Sequence, residues 1–129
     1  MGRGTTKLAY LKSVNAVSFG FPYEGEQHAT LVLRKSPKDG NDAILQVERG
    51  QFTSSYVQNF VTLRFDKGGL QKFVIGDAAD GTGNVLFIRH YDRLVTQLRT
   101  AKTLKIEATL YREGSRVFEF DVHGLDRSW

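Results

Sequence analysis

Oxygen-bearing side chains and glycines are concentrated in one segment, the run Gly-Asp-Ala-Ala-Asp-Gly-Thr-Gly-Asn at residues 76–84. Its carboxylate and amide groups could hold a calcium ion, with Asp77, Asp80 and Asn84 as the candidate ligands. The spacing differs from that of an EF-hand loop, and no Gly-Lys-Ser or Gly-Lys-Thr follows as in a phosphate-binding loop. We therefore expect a connecting loop here, with ion binding as the alternative.

The sequence contains few side chains suited to nucleophilic catalysis or to zinc binding. The chain of 129 residues contains no cysteine, which excludes cysteine nucleophiles and cysteine-based zinc sites. The three histidines, His28, His90 and His123, have no short ligand spacing, and no Gly-x-Ser-x-Gly turn exposes a serine. These features predict no metal site, no cofactor and no catalytic residue.

A pair of carboxylates near the C-terminus is the one arrangement typical of a glycosidase. Glu107 and Glu119 fall on alternating positions of two apparent strands, and a glycosidase needs two carboxyl groups on either side of its substrate. Both positions have the parity of the outward face, where a solvated row of charges is the favoured interpretation. A hydrolase is the remote alternative.

Aromatic and basic residues are interleaved on the outward parity of several predicted strands. Such a face can stack the bases of single-stranded nucleic acid and contact its phosphates. The formal charge of +4, from 18 Lys and Arg against 14 Asp and Glu, is compatible with such binding. No ribonucleoprotein signature is present, and most phenylalanines have the inward parity. The candidate residues of this surface are Phe60, Arg64, Lys72, Tyr111 and Arg112.

The elements that must position these side chains are mostly strands. Apolar and polar residues alternate in short segments separated by turn signals, which predicts antiparallel strands with one buried face. One segment instead repeats apolar residues at intervals of three and four, which predicts a helix at residues 90–101. We count about eight strands, at residues 14–21, 30–34, 45–48, 61–65, 70–75, 85–89, 104–110 and 117–122.

The last two strands permit a prediction of register. If residues 112–114 form a three-residue loop with Gly114 in the left-handed conformation, both apolar sets face the same side. Ala108 then lies opposite Phe118, Ile106 opposite Phe120, Lys105 opposite Asp121, and Glu107 opposite Glu119.

The whole chain is expected to form one β-rich domain over residues 1–129, with residues 1–6 as a leader or a disordered start. Its length allows a stable core without disulfides, and no apolar run approaches the roughly 20 residues of a membrane-spanning helix. The fold class we predict is mainly β. It is an antiparallel sandwich or a small barrel, with the helix covering one end or an open edge.

The segment from Leu94 to Leu125 resembles the C-terminal part of small exported proteins of Gram-negative bacteria, such as the invasion-associated locus B family. The shared features are a helix ending in Ala-Lys, a strand, a glycine turn and a last strand that closes in His-Gly-Leu. The resemblance covers about a quarter of the chain. It implies a periplasmic or lipid-anchored β-domain and supplies no functional residue.

We therefore expect a non-enzymatic binding domain of an exported bacterial protein, held in the periplasm or tethered to the outer membrane. Its partner is expected to be a protein of the cell envelope, and the domain itself to be a monomer or a dimer. The alternative is a cytosolic basic β-barrel that binds single-stranded nucleic acid.

Overall fold

The computed structural model describes residues 5–20, 25–38, 40–52, 59–77, 83–111 and 113–125. Within them the chain forms ten strands and one helix, which confirms the predicted mainly antiparallel β fold. The elements are β1 (Lys7–Lys12), β2 (Val17–Phe19), β3 (Gly25–Gln27), β4 (Ala29–Ser36), β5 (Gly40–Val47), β6 (Phe60–Phe65), β7 (Gln71–Asp77), β8 (Val85–Ile88), α1 (Tyr91–Leu98), β9 (Thr103–Leu110) and β10 (Gly114–Asp121).

Eight of these strands form one antiparallel sheet in the order β1-β4-β5-β8-β7-β6-β9-β10, and β2 and β3 form a separate hairpin. The sheet curls until the chain that follows β1 reaches β10, where the N–H of Val14 donates to the carbonyl of Glu119 at 2.7 Å. In the described part of the chain β1 and β10 share no strand pairing, so the sheet is not closed into a barrel.

The concave face of the curled sheet holds the core, because the alternating apolar residues of every long strand point to it. The predicted inward residues of the strands at 45–48 and 61–65 are buried as expected, and so are the phenylalanines of β10. The largest fully buried side chains include Phe73, Phe118, Phe120, Leu31, Leu33, Leu45, Leu63 and Ile106.

The helix α1 was predicted over residues 90–101 and is observed over Tyr91–Leu98. Leu94, Val95 and Leu98 are buried in the core, so the helix covers the end of the sheet at which β7 begins. Two side chains of α1 hold it to the start of β7. The Arg93 guanidinium lies 4.0 Å from the centre of the Phe73 ring, and Gln97 exchanges hydrogen bonds with Gln71.

Asp66 joins the end of β6 to the start of β9. It adopts the left-handed conformation, with φ 53°, and its carboxylate accepts the N–H groups of Lys102 and Thr103 at 2.9 and 3.0 Å. These two hydrogen bonds lower the pKa of the Asp66 carboxyl below its ordinary value, because they favour the charged form.

Two strands were not predicted, β1 and β3. The β1 sequence, Lys-Leu-Ala-Tyr-Leu-Lys, has apolar residues on both faces and therefore no alternation of period two. The strand predicted at residues 14–21 is observed only over Val17–Phe19, because the chain bends at Ser13 and crosses to β10. Of the predicted leader, Thr5 and Thr6 have no regular secondary structure, and the rest lies outside the described residues.

The predicted register of β9 and β10 is wrong by two residues. Gly114 has the expected left-handed conformation, with φ 67°, but the turn begins one residue earlier, since the N–H of Glu113 donates to the carbonyl of Leu110. A shift of two preserves which face each side chain occupies, so both apolar sets still face the core. The observed partners are Ala108 with Arg116, Ile106 with Phe118, Leu104 with Phe120, Glu107 with Val117, Lys105 with Glu119 and Thr103 with Asp121.

This register predicts which cysteine pairs can form a disulfide across the last hairpin. The backbone of Val117 and Glu119 bonds to Asn15 rather than to β9, so Glu107 and Val117 form a non-hydrogen-bonded pair with closely spaced Cβ atoms. We expect the double variant Glu107→Cys, Val117→Cys to oxidise readily, and Glu107→Cys, Glu119→Cys to remain reduced. Thiol titration after mild oxidation measures the free cysteines of both double variants. The reverse result would support the predicted pairing of Glu107 with Glu119 and contradict the observed register.

The carboxylate of Asp66 predicts a pH-dependent stability. Its folded-state pKa is lowered, so its stabilising effect is present above the unfolded pKa and is lost as the pH falls through the folded pKa. Asp66→Asn removes the charge and tolerates the left-handed conformation. We expect the variant to melt below the parent near neutral pH, and the difference in melting temperature to narrow as the pH falls below the ordinary carboxyl pKa of 3.8. A difference in melting temperature that does not change with pH would contradict the role of the charge.

Candidate functional site

Three of the five residues predicted to bind nucleic acid share one outward surface of the sheet. Thr62 of β6 lies between Lys72 of β7 and Glu107 of β9, and Phe60 and Arg64 have the same parity on β6. The ammonium group of Lys72 lies 4.6 Å from the centre of the Phe60 ring. The Lys72 side chain therefore already occupies the ring face on which a base would stack.

The other two residues of that prediction do not join this cluster. Tyr111 directly follows β9, at the end of the sheet where β6 begins, and is 45% exposed. Its backbone N–H donates to the carbonyl of Gln51 at 2.7 Å. Arg112 lies outside the described residues.

The candidate metal ligands are not gathered into a site. The side-chain amide of Asn84 donates to the carbonyl of Val47 at 3.0 Å, and the N–H of Val47 donates to the carbonyl of Asn84. Asn84 thus ties the end of β5 to the start of β8. Asp77 ends β7, and Asp80 lies outside the described residues. Across the described ranges no three potential ligands of the His, Cys, Asp or Glu types form a cluster.

The histidines and the glutamate pair are likewise dispersed. His28 lies between β3 and β4, where its N–H donates to the Glu48 carboxylate at 2.7 Å and lowers the pKa of that carboxyl. His90 precedes α1 and His123 follows β10. The expected opposition of Glu107 to Glu119 is wrong, because their strand partners are Val117 and Lys105.

The edge strand β1 is a surface that the sequence analysis missed. Among the described strands β1 pairs with β4 alone, and Leu8 and Tyr10 are 51% and 67% exposed on its outer face. Ala9 and Leu11, on the opposite face, pack against the core. The strand therefore presents a large aliphatic and a large aromatic side chain beside an unpaired backbone edge.

The contacts of the two residues that follow β1 show in which direction the backbone groups of the strand point. The N–H of Ser13 donates to the carbonyl of Ala29 on the β4 side, and the N–H of Val14 points the other way, to Glu119. Because successive backbone groups of a strand alternate in direction, Leu8, Tyr10 and Lys12 direct their N–H and C=O groups away from β4.

The other edge of the sheet is covered. The side chain of Asn15 donates to the carbonyl of Val117 at 2.9 Å and accepts the N–H of Glu119 at 2.7 Å. Further along, the N–H of Gly20 donates to the carboxylate of Glu113 at 2.9 Å. The chain after β1 therefore satisfies the carbonyls of Val117 and Glu119 and the N–H of Glu119 on the β10 edge, whereas no described strand pairs with the free side of β1.

A signal for the β1 edge exists in the sequence. A short segment with apolar residues on both parities and a lysine at each end is typical of an edge strand, because lysines at the ends limit unwanted pairing.

The open edge predicts a pattern of amide exchange along β1. We expect the N–H groups of Leu8, Tyr10 and Lys12 to exchange with solvent much faster than those of Ala9 and Leu11, which bond to β4. Hydrogen exchange followed by NMR measures each amide separately. Equal protection of the two sets would show that something already covers this edge.

The described helix is too short and too polar to cross a membrane. No known protein family, curated protein or solved structure matches the chain. The function must therefore be inferred from the residues and the geometry described above.

Proposed function

We propose that this chain is a non-enzymatic protein-binding domain and that β1 takes up an extended segment of its partner. The observation that carries this proposal is the unpaired backbone edge of β1 beside the exposed side chains of Leu8 and Tyr10. Addition of a strand to a sheet edge derives affinity from main-chain hydrogen bonds and specificity from alternate side chains.

The backbone of β1 supplies the hydrogen bonds for such a complex. Leu8, Tyr10 and Lys12 each offer one N–H and one C=O to an incoming strand. On the outer face of the sheet, Tyr10 adjoins Val32, and Val32 adjoins Ile44. An apolar side chain of the partner opposite Tyr10 would extend this row.

Charge favours an acidic partner segment. The six residues of β1 include Lys7 and Lys12 and no acidic residue. The neighbouring Arg34 of β4 forms an ion pair with Asp42 of β5, so its charge is balanced within the domain. A partner strand that alternates acidic with apolar residues would complement the lysines and the exposed apolar side chains of this edge.

The proposed location is the cell envelope, as the resemblance of the C-terminal segment implies. Fractionation of cells that express the full-length gene with a C-terminal tag tests this part. Recovery in the periplasmic or membrane fraction supports it, and recovery with the cytosol opposes it.

The β1 edge is tested by selection of random decapeptides displayed on phage, followed by the variant Tyr10→Pro. Proline removes the outward N–H of residue 10 and leaves the ladder to β4 intact, as expected for an edge strand. We expect the selected peptides to alternate acidic and apolar residues, and Tyr10→Pro to weaken their binding at least about tenfold. Fluorescence anisotropy with labelled peptides measures the affinity.

Two further variants separate the backbone from the side chains. Tyr10→Thr keeps the N–H and removes the ring, so it should retain part of the affinity. Val74→Ser alters an exposed apolar residue elsewhere and should bind normally. Selected peptides that bind Tyr10→Pro as well as the parent would exclude β1 as the site. If the free domain dimerises and Tyr10→Pro abolishes the dimer, the β1 edge would instead be assigned to a second copy of the chain.

Single-stranded nucleic acid is the second candidate partner. The observation in its favour is that Arg64, Lys72 and Lys105 share one outward face. Glu107 lies on the same face, and Lys72 already covers the Phe60 ring. For these reasons we favour the protein partner.

A further inference from the structure

We propose that a cavity on the outer face of β6, β9 and β10 binds a small organic carboxylate that carries an apolar group. This site is separate from the β1 edge and does not depend on the function proposed for that edge. The cavity has a volume of about 190 Å³, and it is lined by Thr62, Arg64, Leu70, Lys105, Glu107 and Val117.

Two cations form the positive part of this cavity. Arg64 of β6 lies directly opposite Lys105 of β9 in the strand register. Like charges at directly opposed positions destabilise a sheet. Among the described residues neither cation has a carboxylate within 4.0 Å, although Glu119 is the partner of Lys105 on β10. An anion bound between the two would relieve their repulsion.

The Arg64 side chain is held in place by the turn that follows β6. Its Nε donates to the carbonyl of Gly68 at 3.0 Å, and the N–H of Gly68 donates to the carbonyl of Phe65 at 3.0 Å. This contact uses Nε and not the two terminal nitrogens, which together can donate to both oxygens of one carboxylate. The guanidinium is therefore oriented before a ligand arrives, which lowers the entropic cost of binding.

Apolar groups complete the lining. Leu70 is 75% exposed and Val117 is 41% exposed. Contact with an alkyl chain or an aromatic ring would remove part of this apolar surface from water. The volume is below the roughly 300–1,000 Å³ of pockets that bury drug-sized ligands, so the ligand has one ring or one short chain.

Glu107 restricts the charge of the ligand. Its carboxylate lines the same cavity as Arg64 and Lys105, so the three groups sum to a single positive charge. A monoanion balances that charge, whereas a polyanion such as a nucleic-acid strand would bring several charges close to Glu107. The electrostatics therefore favour a monocarboxylate over a phosphodiester chain.

The experiment uses 3-phenylpropionate as the probe and 3-phenylpropylamine, which has the same apolar body and the opposite charge, as the matched ligand. Both are titrated into the whole chain and followed by ¹H–¹⁵N NMR. We expect the propionate to shift the signals of Thr62, Arg64, Lys105 and Val117 at millimolar or lower concentration, and the amine to leave them unchanged.

Single substitutions test the assigned roles. Arg64→Gln and Lys105→Gln should each weaken propionate binding about tenfold, as expected for loss of a charged hydrogen bond. Glu107→Gln should strengthen it several-fold. Lys72→Gln is the control, because Lys72 lies on the same face but outside the cavity. This variant should bind 3-phenylpropionate as the parent does.

Three outcomes would overturn the proposal. The first is equal binding of the propionate and the amine, which would indicate apolar contact alone. The second is an equal loss in Lys72→Gln, which would indicate a diffuse charge effect. The third is stronger binding of a short oligothymidylate with the same shifts, which would assign the surface to nucleic acid. Circular dichroism of each variant confirms that it is folded, and a variant that unfolds is replaced by Lys105→Arg, which should retain binding.

Discussion

The side-chain amide of Asn15 links the two ends of the sheet. An eight-stranded sheet ends in two rows of unpaired backbone groups, and those of β10 lie where the sheet curls back towards its beginning. Asn15 mimics a neighbouring strand there, donating to the carbonyl of Val117 and accepting the N–H of Glu119. The bend that brings it into place is fixed by Ser13, whose hydroxyl donates to the carbonyl of Asn15 and accepts the N–H of Ala29.

This closure makes the two edges of the sheet unequal. The chain that leaves β1 is used to cover β10, so it cannot cover β1 itself. The open backbone edge at Leu8 and Tyr10 is therefore a consequence of how the other edge is satisfied. The cavity beside Arg64 and Lys105 is lined by other residues than those of the β1 edge.

Much of the fold follows from local pattern, and so does the character of β1 as an edge strand, but the cavity does not. Alternation placed Leu63 and Phe118 in the core correctly, and a period near 3.6 located the helix, because burial of one face dictates both patterns. The register of β9 and β10 depends on which residue begins the turn. The position of Gly114 alone does not determine that residue. The pairing of Arg64 with Lys105 depends on strand order, which joins residues far apart in the chain. No local pattern encodes that order.

The contact of Asn15 with β10 spans 102 residues of sequence to Val117 and 104 to Glu119. Closure of so long a loop is entropically costly and slow, so the helix and the local hairpins can form before it. During synthesis the segment around Ser13 and Asn15 leaves the ribosome about 100 residues before β10 and must wait for it. Until then both edges of the sheet are open, and the nascent chain depends on its lysines, or on a chaperone, to avoid pairing with its neighbours.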